Sequence, residues 1–303
     1  MTSPRPLLLV DASIYLYRAW QHRPASILDP AGRPANALSG FVDTLADLLA
    51  RERPDRVVCA FDTCGRTGTR NTILPGYKGS RPPAPPALTE QIGRAMALVP
   101  RLGVTALGSR LVEADDVIAH FARLARLESR AVTVISGDKD LAQHVRGPGD
   151  SYWDFGRHPR HDAKALERRL GVRPAAVPDW LALCGDRADD IPGVPGVGPA
   201  TAARLIRKWG SLDVLYANLP AVSGMRFRGA PGVAVLLAEH EATVRLARRL
   251  TGPLEDPSLP GSLEPLARRP VDAAALEAAL LDAGLDARQA GLRTRELLAA
   301  GSA

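Results

Sequence analysis

The chain has 303 residues, with 39 Lys and Arg against 33 Asp and Glu and a formal net charge of +6. A composition of 46% hydrophobic and 24% charged residues is that of a globular protein of one or two domains, and it excludes a disordered chain. No run reaches the roughly 18 apolar residues of a membrane span, and the N-terminus lacks the roughly 7–15 apolar residues of a secretory signal. Three cysteines without a CxxC pair favour a reducing cytoplasm.

Short apolar runs alternate with helical patterns in the first half of the chain. Such runs, bounded by polar residues, predict buried strands of a parallel sheet. The predicted strands are Pro6–Val10, Val57–Phe61 and Val132–Ile135. The predicted helices cover 37–51, 88–102 and 114–127. This alternation predicts a doubly wound α/β fold, in which functional sites lie at the carboxyl ends of the strands.

A long insertion, residues 63–87 (the arch segment), follows the second predicted strand. It is rich in Gly, Pro and Arg and too long for an ordinary connection, which is typical of a functional or mobile segment. Arg66 and Arg70 are predicted to attract phosphate. A solvated basic loop explains these two arginines equally well.

Carboxylates are concentrated in five short clusters. They are Asp11; Asp62; Glu113, Asp115 and Asp116; Asp138 and Asp140; and Asp186, Asp189 and Asp190. Helix capping could explain any one cluster, but it does not predict that several follow strands of one sheet. Carboxylates without His or Cys suit Mg²⁺ or Mn²⁺, and two such ions can drive phosphodiester hydrolysis. The rest of the chain has 39 basic residues against 23 acids, which favours an anionic polymer as partner.

From about Trp180 the pattern becomes helical, with a Gly/Pro-rich turn at 191–199 that leads into a helix. Free N–H groups at a helix N-terminus suit a phosphate. The residues predicted to approach DNA here are Gly193, Gly196, Gly198, Arg204, Arg207 and Lys208. Three units are predicted: an α/β core over 1–178, a helical unit over 179–252, and a Pro-rich linker with a helical tail over 253–303, including a helix over 271–283.

Five motifs together resemble the bacterial flap endonucleases and the 5′-nuclease domain of DNA polymerase I, from about residue 6 to residue 250. They are VDAS at Asp11, AFD at Asp62, EADDV at 113–117, SGDKDL at 136–141 and GDRADDIPGVPGVG at 185–198. The resemblance implies a parallel-sheet PIN-like nuclease core with a helical arch, followed by a helix-three-turn-helix unit that grips duplex DNA. The family pattern has Ser-Asp-Asn where this chain has Ala188-Asp189-Asp190, so Asp190 has no assigned role.

The resemblance also implies roles for individual residues. Lys78 and Arg81 match catalytic basic residues, and Tyr77 is expected to stack on an unpaired base. The turn at 191–199 is expected to hold K⁺. The implied ligands of the first divalent ion are Asp11, Asp62, Glu113, Asp115 and Asp116. Those of the second are Asp138, Asp140, Asp186 and Asp189.

The sequence therefore predicts a metal-dependent 5′–3′ exonuclease or flap endonuclease that cleaves DNA at 5′ flaps, nicks, gaps and 5′ ends. RNA primers are a further expected substrate. We expect a cytoplasmic, nucleoid-associated monomer that acts in DNA replication or repair. Three alternatives remain: a related metal-dependent ribonuclease, a non-catalytic DNA-junction binder of the same fold, and a metal-dependent phosphatase. The first and the third would lack the arch segment and the Gly-rich turn.

Overall fold

A five-stranded, fully parallel sheet forms the centre of the first half of the chain. The computed structural model describes residues 4–301, so the outermost residues of the predicted 1–178 and 253–303 units lie outside it. The strands run in the order β3-β2-β1-β4-β5. Their bounds are β1 Leu7–Asp11, β2 Val57–Asp62, β3 Thr105–Ser109, β4 Val132–Ile135 and β5 Ser151–Trp153. The predicted α/β class and all three predicted strands are confirmed.

Helices cover both faces of the sheet and are the main regular structure in the second half of the chain. Residues before the second unit form α1 Ala12–His22, α2 Asn36–Glu52, α3 Thr69–Ile73, α4 Pro86–Leu98, α5 Ala114–Leu127 and α6 Ala163–Leu170. They are followed by α7 Val177–Cys184, α8 Pro199–Trp209, α9 Leu212–Ala217, α10 Ala230–Glu239, α11 Glu241–Thr251, α12 Ala273–Asp282 and α13 Ala287–Gly301. No helix in the described chain is long and apolar enough to cross a membrane.

The central strand shows why the apolar runs are continuous. Leu8 and Val10 of β1 pack on one face of the sheet, against α1 and α2. Leu7 and Leu9 pack on the other face, against α5. All four side chains are at most 2% exposed, as expected for a parallel strand covered on both sides.

The order of the strands determines where a site can form. From β1 the chain passes to β2 and β3 on one side, and then crosses to β4 on the other side of β1. A crevice opens at the carboxyl ends of strands where the direction of winding reverses. The carboxyl ends of β2, β1 and β4, which carry the acidic motifs, surround this crevice.

The arch segment contains little helix. It consists of a 3-10 turn at Gly65–Thr67, the five-residue α3, and irregular turns up to the start of α4. Two of its side chains, Arg70 and Tyr77, are at most 7% exposed, so the segment is folded down onto the body of the protein.

The C-terminal residues are an integral part of the core. The predicted helix over 271–283 is confirmed as α12, and α13 follows it. Leu276, Leu280 and Leu297 of this hairpin are at most 1% exposed within the same apolar core as α2. Arg293 donates to Oδ1 of Asp43 on α2 at 2.8 Å. The stretch predicted as a tail therefore covers α2.

Candidate active site

Three adjacent strands deliver carboxylates to one edge of the sheet. Asp11 is the last residue of β1, and Asp62 is the last residue of β2. After β4, Ser136 donates its hydroxyl to Oδ2 of Asp11 at 2.7 Å and accepts the N–H of Asp138 at 2.9 Å. Asp62 accepts the N–H of Ala114 at 2.8 Å, which brings the start of α5 to the same place. The predicted convergence of the acidic motifs thus follows from the sheet and from local capping.

Burial and mutual repulsion perturb these carboxyl groups. Burial, and then the charge of Asp62, raises the pKa of Asp11 to about 7. The pKa of Asp115 lies well above its ordinary value because of burial and the charges of Asp138 and Asp11. Burial, Asp138 and Asp186 raise the pKa of Asp140 to about 8. Burial makes the largest contribution at each of these groups, and the charges of Lys78 and Lys139 offset only part of the rise at Asp115 and Asp140.

Six of the predicted ligands form no ion pair with any residue in the described part of the chain, and we refer to them as the open acids. Their only close polar partners are hydroxyl and N–H groups or one another. Within the described residues, Oδ1 of Asp140 is buried without a hydrogen-bond partner. The open acids are Asp11, Asp62, Asp115, Asp138, Asp140 and Asp186.

The open acids fit divalent cations through their donor chemistry. They offer only hard oxygen ligands, and burial together with neighbouring carboxylates raises the pKa values of Asp11 and Asp140. Among the described residues, no three His, Cys, Asp or Glu side chains are already arranged around a single metal position.

The acids on the other side of the site, Glu113 and Asp189, are neutralised by the arch segment. Nζ of Lys78 lies 2.6 Å from Oε1 of Glu113 and 3.7 Å from Oδ2 of Asp189. Arg81 forms an ion pair with Asp189. Burial alone would raise the pKa of Glu113, but the charges of Lys78 and Arg70 outweigh it, and the pKa falls below its ordinary value. Both predicted catalytic cations are therefore beside the acids, paired with two of them.

The structure corrects the roles predicted for Asp116 and Arg70. Arg70 is 7% exposed and forms a two-pronged ion pair with Asp116. Its remaining donors bind the carbonyl groups of Leu250 and Gly252 at 2.9 and 3.0 Å. Asp116, 1% exposed, also accepts the N–H of Glu113 at 3.0 Å in a capping box. Asp116 is thus saturated as a ligand, and Arg70 is too deeply buried to touch DNA; the pair ties the arch segment to the end of α11.

Tyr77 is also placed differently from its prediction. It is 3% exposed, and its hydroxyl lies 2.9 Å from Oε2 of Glu113 and 3.1 Å from Oδ2 of Asp189, so its ring has no free face for a base. Arg66 is exposed, and it donates to the carbonyl group of Arg81 at 2.8 Å, which stabilises the turn of the arch segment.

One exposed aromatic residue near the site was not predicted from the sequence. Tyr17 on α1 is 40% exposed. Partial burial and the charge of Asp62 raise its pKa, and the charge of Arg81 lowers it. Its position six residues after Asp11, beyond the first turn of α1, was the available signal.

The Gly-rich turn lies beside the open acids and forms one wall of a groove of about 700 Å³. Gly193 is required for packing within the protein, because a Cβ atom there would lie 2.3 Å from the backbone nitrogen of Gly185. Gly196 has a left-handed φ of 76°, whereas a Cβ atom at Gly198 would meet only open space. Gly196 and Gly198 are both exposed, and Gly198 directly precedes α8. The basic residues of α8 are exposed: Arg204, Arg207 and Lys208.

Comparison with known families agrees with this geometry. Residues 6–170 match the 5′-3′ exonuclease N-terminal resolvase-like domain, and residues 172–274 match the 5′-3′ exonuclease C-terminal SAM fold. The chain belongs to the 5′-3′ exonuclease family.

Curated relatives are of two kinds. DNA polymerase I of Pseudomonas aeruginosa is 38% identical over 249 residues, which are 82% of this chain and 27% of that protein. The chain therefore spans little more than a quarter of this polymerase. The 5′-3′ exonuclease of Aquifex aeolicus is 35% identical over 218 residues, 71% of this chain and 73% of that protein.

Solved structures share the fold at low sequence identity. The bacteriophage T5 flap endonuclease, solved as a pseudo-enzyme-product complex with DNA and metal ions, aligns with a TM-score of 0.64 and 19% identity over 99% of this chain and 100% of that one. The catalytic core of Rad2 with a DNA substrate aligns with a TM-score of 0.62 and 15% identity, over 97% and 92% of the two chains. The predicted fold, a PIN-like core followed by a helical unit, is confirmed.

Proposed function

We propose that this member of the 5′-3′ exonuclease family is a structure-specific nuclease that cleaves DNA where a duplex meets a single-stranded 5′ end. The observation that carries the proposal is the juxtaposition of six open acids with two cations, Lys78 and Arg81, at the carboxyl edge of one parallel sheet. Phosphodiester hydrolysis needs both: oxygen ligands for metal ions and cationic donors for the phosphate.

The open acids are the residues that would hold two divalent ions, Mg²⁺ or Mn²⁺. When bound, such ions activate water and stabilise the charge of the leaving oxygen. Glu113 and Asp189 would complete the set of ligands after their cations turn toward a substrate phosphate. Asp116 takes no part because its oxygens are occupied by Arg70 and backbone N–H groups.

Lys78 and Arg81 change partners when DNA binds. In the free protein Lys78 is paired with Glu113 and Asp189. A phosphate that enters the site offers these cations an anionic partner at the bond to be cleaved, where they can stabilise the charge that develops on its oxygens. The exchange leaves Glu113 and Asp189 free to act as oxygen ligands.

The turn at 191–199 and the N-terminus of α8 bind a phosphate of the duplex. Pro199 has no N–H and the N–H of Ala202 donates to Gly198, so Ala200 and Thr201 offer the N–H groups for the phosphate. Arg204, Arg207 and Lys208 supply positive charge along the same helix. A K⁺ ion bound by carbonyl groups of the turn would join this contact. Tyr17, rather than Tyr77, stacks on a base beside the cleaved bond.

The expected substrates are 5′ flaps, nicked or gapped duplexes and recessed 5′ ends, with RNA primers as a further class. The relatives named DNA polymerase I and the T5 enzyme solved with DNA support a role in DNA replication or repair. We propose that the protein acts as a monomer in the cytoplasm, associated with the nucleoid.

Mapping the cleavage site on a DNA substrate with a labelled 5′ flap tests the proposal. We expect cleavage near the junction with Mg²⁺ and none with a chelator. Asp186→Ala should bind the flap as the wild-type protein does without cleaving it. Binding by the wild-type protein without cleavage would identify a junction binder instead, and cleavage confined to RNA strands would identify a ribonuclease. Cleavage by Asp186→Ala at the wild-type rate would contradict the proposed metal ligands.

A further inference from the structure

Asp190 makes a close polar contact with the arch segment. Its Oδ2 accepts the backbone N–H of Ser80 at 2.8 Å and the hydroxyl of Ser80 at 2.7 Å. Asp190 does not line the cavity between Asp115, Asp140, Asp186 and Asp189. Its carboxylate therefore serves the arch segment rather than the open acids.

Neighbouring residues on both sides extend this contact. The N–H of Lys78 donates to the carbonyl group of Asp189 at 3.0 Å, and Nε of Arg81 donates to the carbonyl group of Ala188 at 2.9 Å. Residues 188–190 thus bind residues 78–81 at three consecutive points (the clasp). Lys78 and Arg81, the two predicted catalytic residues, lie at its two ends.

The backbone on both sides of the clasp is strained. Lys78 has φ 51° and Asp190 has φ 55°, two of the four non-glycine residues with positive φ in the described chain. A non-glycine residue in this region costs about 1 kcal/mol or more and persists only where its surroundings hold it. The clasp supplies these surroundings, since it fixes the backbone N–H of Lys78 and the side chain of Asp190.

The loop that carries the clasp is closed by its own backbone and leads directly into the Gly-rich turn. Asp186 and Ile191 exchange both backbone hydrogen bonds, at 3.0 and 2.8 Å. The packing of Gly193 on Gly185 leaves no room for a side chain. The turn at 191–199 is therefore connected to residues 78–81 through a loop that is held by its own hydrogen bonds and close packing.

We propose that Asp190 and Ser80 are positioning residues, which hold Lys78 in place for catalysis and couple it to the duplex-binding turn. The proposal rests on the proposed nuclease function, because Lys78 is the group that they position. Asp190 acts on the rate of cleavage through Lys78 and takes no direct part as a metal ligand.

Single-turnover cleavage of a 5′ flap tests whether Asp190 acts through Lys78. Asp190→Gly removes the carboxylate and tolerates the left-handed backbone. It should slow cleavage about tenfold or more, since small misplacements of a catalytic group have effects of this order, while the Kd for the flap changes less than about twofold. In a Lys78→Ala background, Asp190→Gly should add less than about a twofold loss. A full tenfold loss in that background, or no loss in the wild-type background, would overturn the proposal.

Limited proteolysis tests the clasp without relying on activity. Trypsin cleavage between Lys78 and Gly79 in the DNA-free protein, followed by mass spectrometry, should become several-fold faster in Ser80→Ala and in Asp190→Gly. Ser129→Gly is the matched control, because Ser129 also has a left-handed backbone, at φ 53°, and lies at the end of α5. Unchanged cleavage in both clasp variants would refute the clasp. A wild-type protein that cleaves no flap would refute the nuclease function instead.

Discussion

Two groups of carboxylates share this site and differ in what neutralises them. The open acids have no ion-pair partner in the described chain, and the pKa values of Asp11 and Asp140 rise to about 7 and about 8. The paired acids, Glu113, Asp116 and Asp189, are bound by Arg70, Lys78 and Arg81. The difference separates carboxylates that need an external cation from carboxylates that stabilise the arch segment.

The largest effect is expected at an open acid. Asp11→Asn should lower the rate of flap cleavage by at least about 10³-fold, because it removes a ligand charge that no other residue replaces. The melting temperature should not fall, since the variant removes a repelled, buried charge. Asp213→Asn, at an exposed acid of α9, is the control and should cleave normally. Cleavage by Asp11→Asn within tenfold of the wild-type rate would contradict the assignment.

Breaking the ion pair of a paired acid should lower the free energy of unfolding rather than the rate of cleavage. Arg70→Met leaves Asp116 charged and buried, and breaking such a pair costs about 3–5 kcal/mol of the free energy of unfolding. Urea denaturation measures the loss. Adding Asp116→Asn should restore part of the stability, because the amide is neutral and its single oxygen can keep one of the two backbone N–H partners. A loss below about 1 kcal/mol in Arg70→Met would show that the pair does not hold the arch segment.

The difference between the two groups could not be read from the sequence. The strands, the acidic motifs and α5 were predicted from apolar runs and acid spacing, and α5 is confirmed at its predicted bounds, Ala114–Leu127. Asp115 and Asp116 are adjacent acids of the same type, yet one is open and the other is bound by Arg70. That distinction depends on where the irregular arch segment folds, which no periodic pattern encodes.

The other differences between the predictions and the structure have similar physical causes. Strand β3 (TALGS) lacks a continuous apolar run because it is less buried than β1, and β5 has only three residues. Tyr77 was predicted to stack on a base, and no role was predicted for Tyr17. The sequence could not distinguish the two rings, because burial by distant segments decides which one is exposed. The Pro-rich stretch after residue 253 is typical of a linker, so the packing of α12 and α13 in the same apolar core as α2 was not predicted.

Lys78 links the two groups of carboxylates, so its removal should slow cleavage and at the same time strengthen metal binding. Lys78→Ala should slow cleavage at saturating flap by about 10²-fold, because it removes a donor to the scissile phosphate. It should also tighten Mn²⁺ binding several-fold, since Glu113 loses its cation. Single-turnover kinetics and calorimetry measure the two effects. Lys164→Ala, at an exposed lysine of α6, is the control. Weaker Mn²⁺ binding in Lys78→Ala would contradict the exchange of partners.

The smallest effect is expected at Tyr17. Tyr17→Ala should raise the Kd for a 5′ flap about fivefold or more, since stacking on one base contributes about 1–3 kcal/mol. Tyr17→Phe keeps the ring and should bind like the wild-type protein. Fluorescence anisotropy with a labelled flap and with a blunt duplex measures the difference. An equal loss of affinity for both DNAs would show that Tyr17 does not contact the single strand.

Calorimetric titration of Mn²⁺ in buffers of different ionisation enthalpy tests the central claim most directly, because it measures the ions bound and the protons released. Asp11 and Asp140 hold protons in the metal-free protein below their raised pKa values of about 7 and about 8, so Mn²⁺ binding should displace protons at pH 7, and the displacement should fade as the pH rises to about 9. Mn²⁺ affinity should rise over the same range. Two ions per chain with this pH dependence are predicted. Binding without proton release at pH 7, or no binding, would contradict the account.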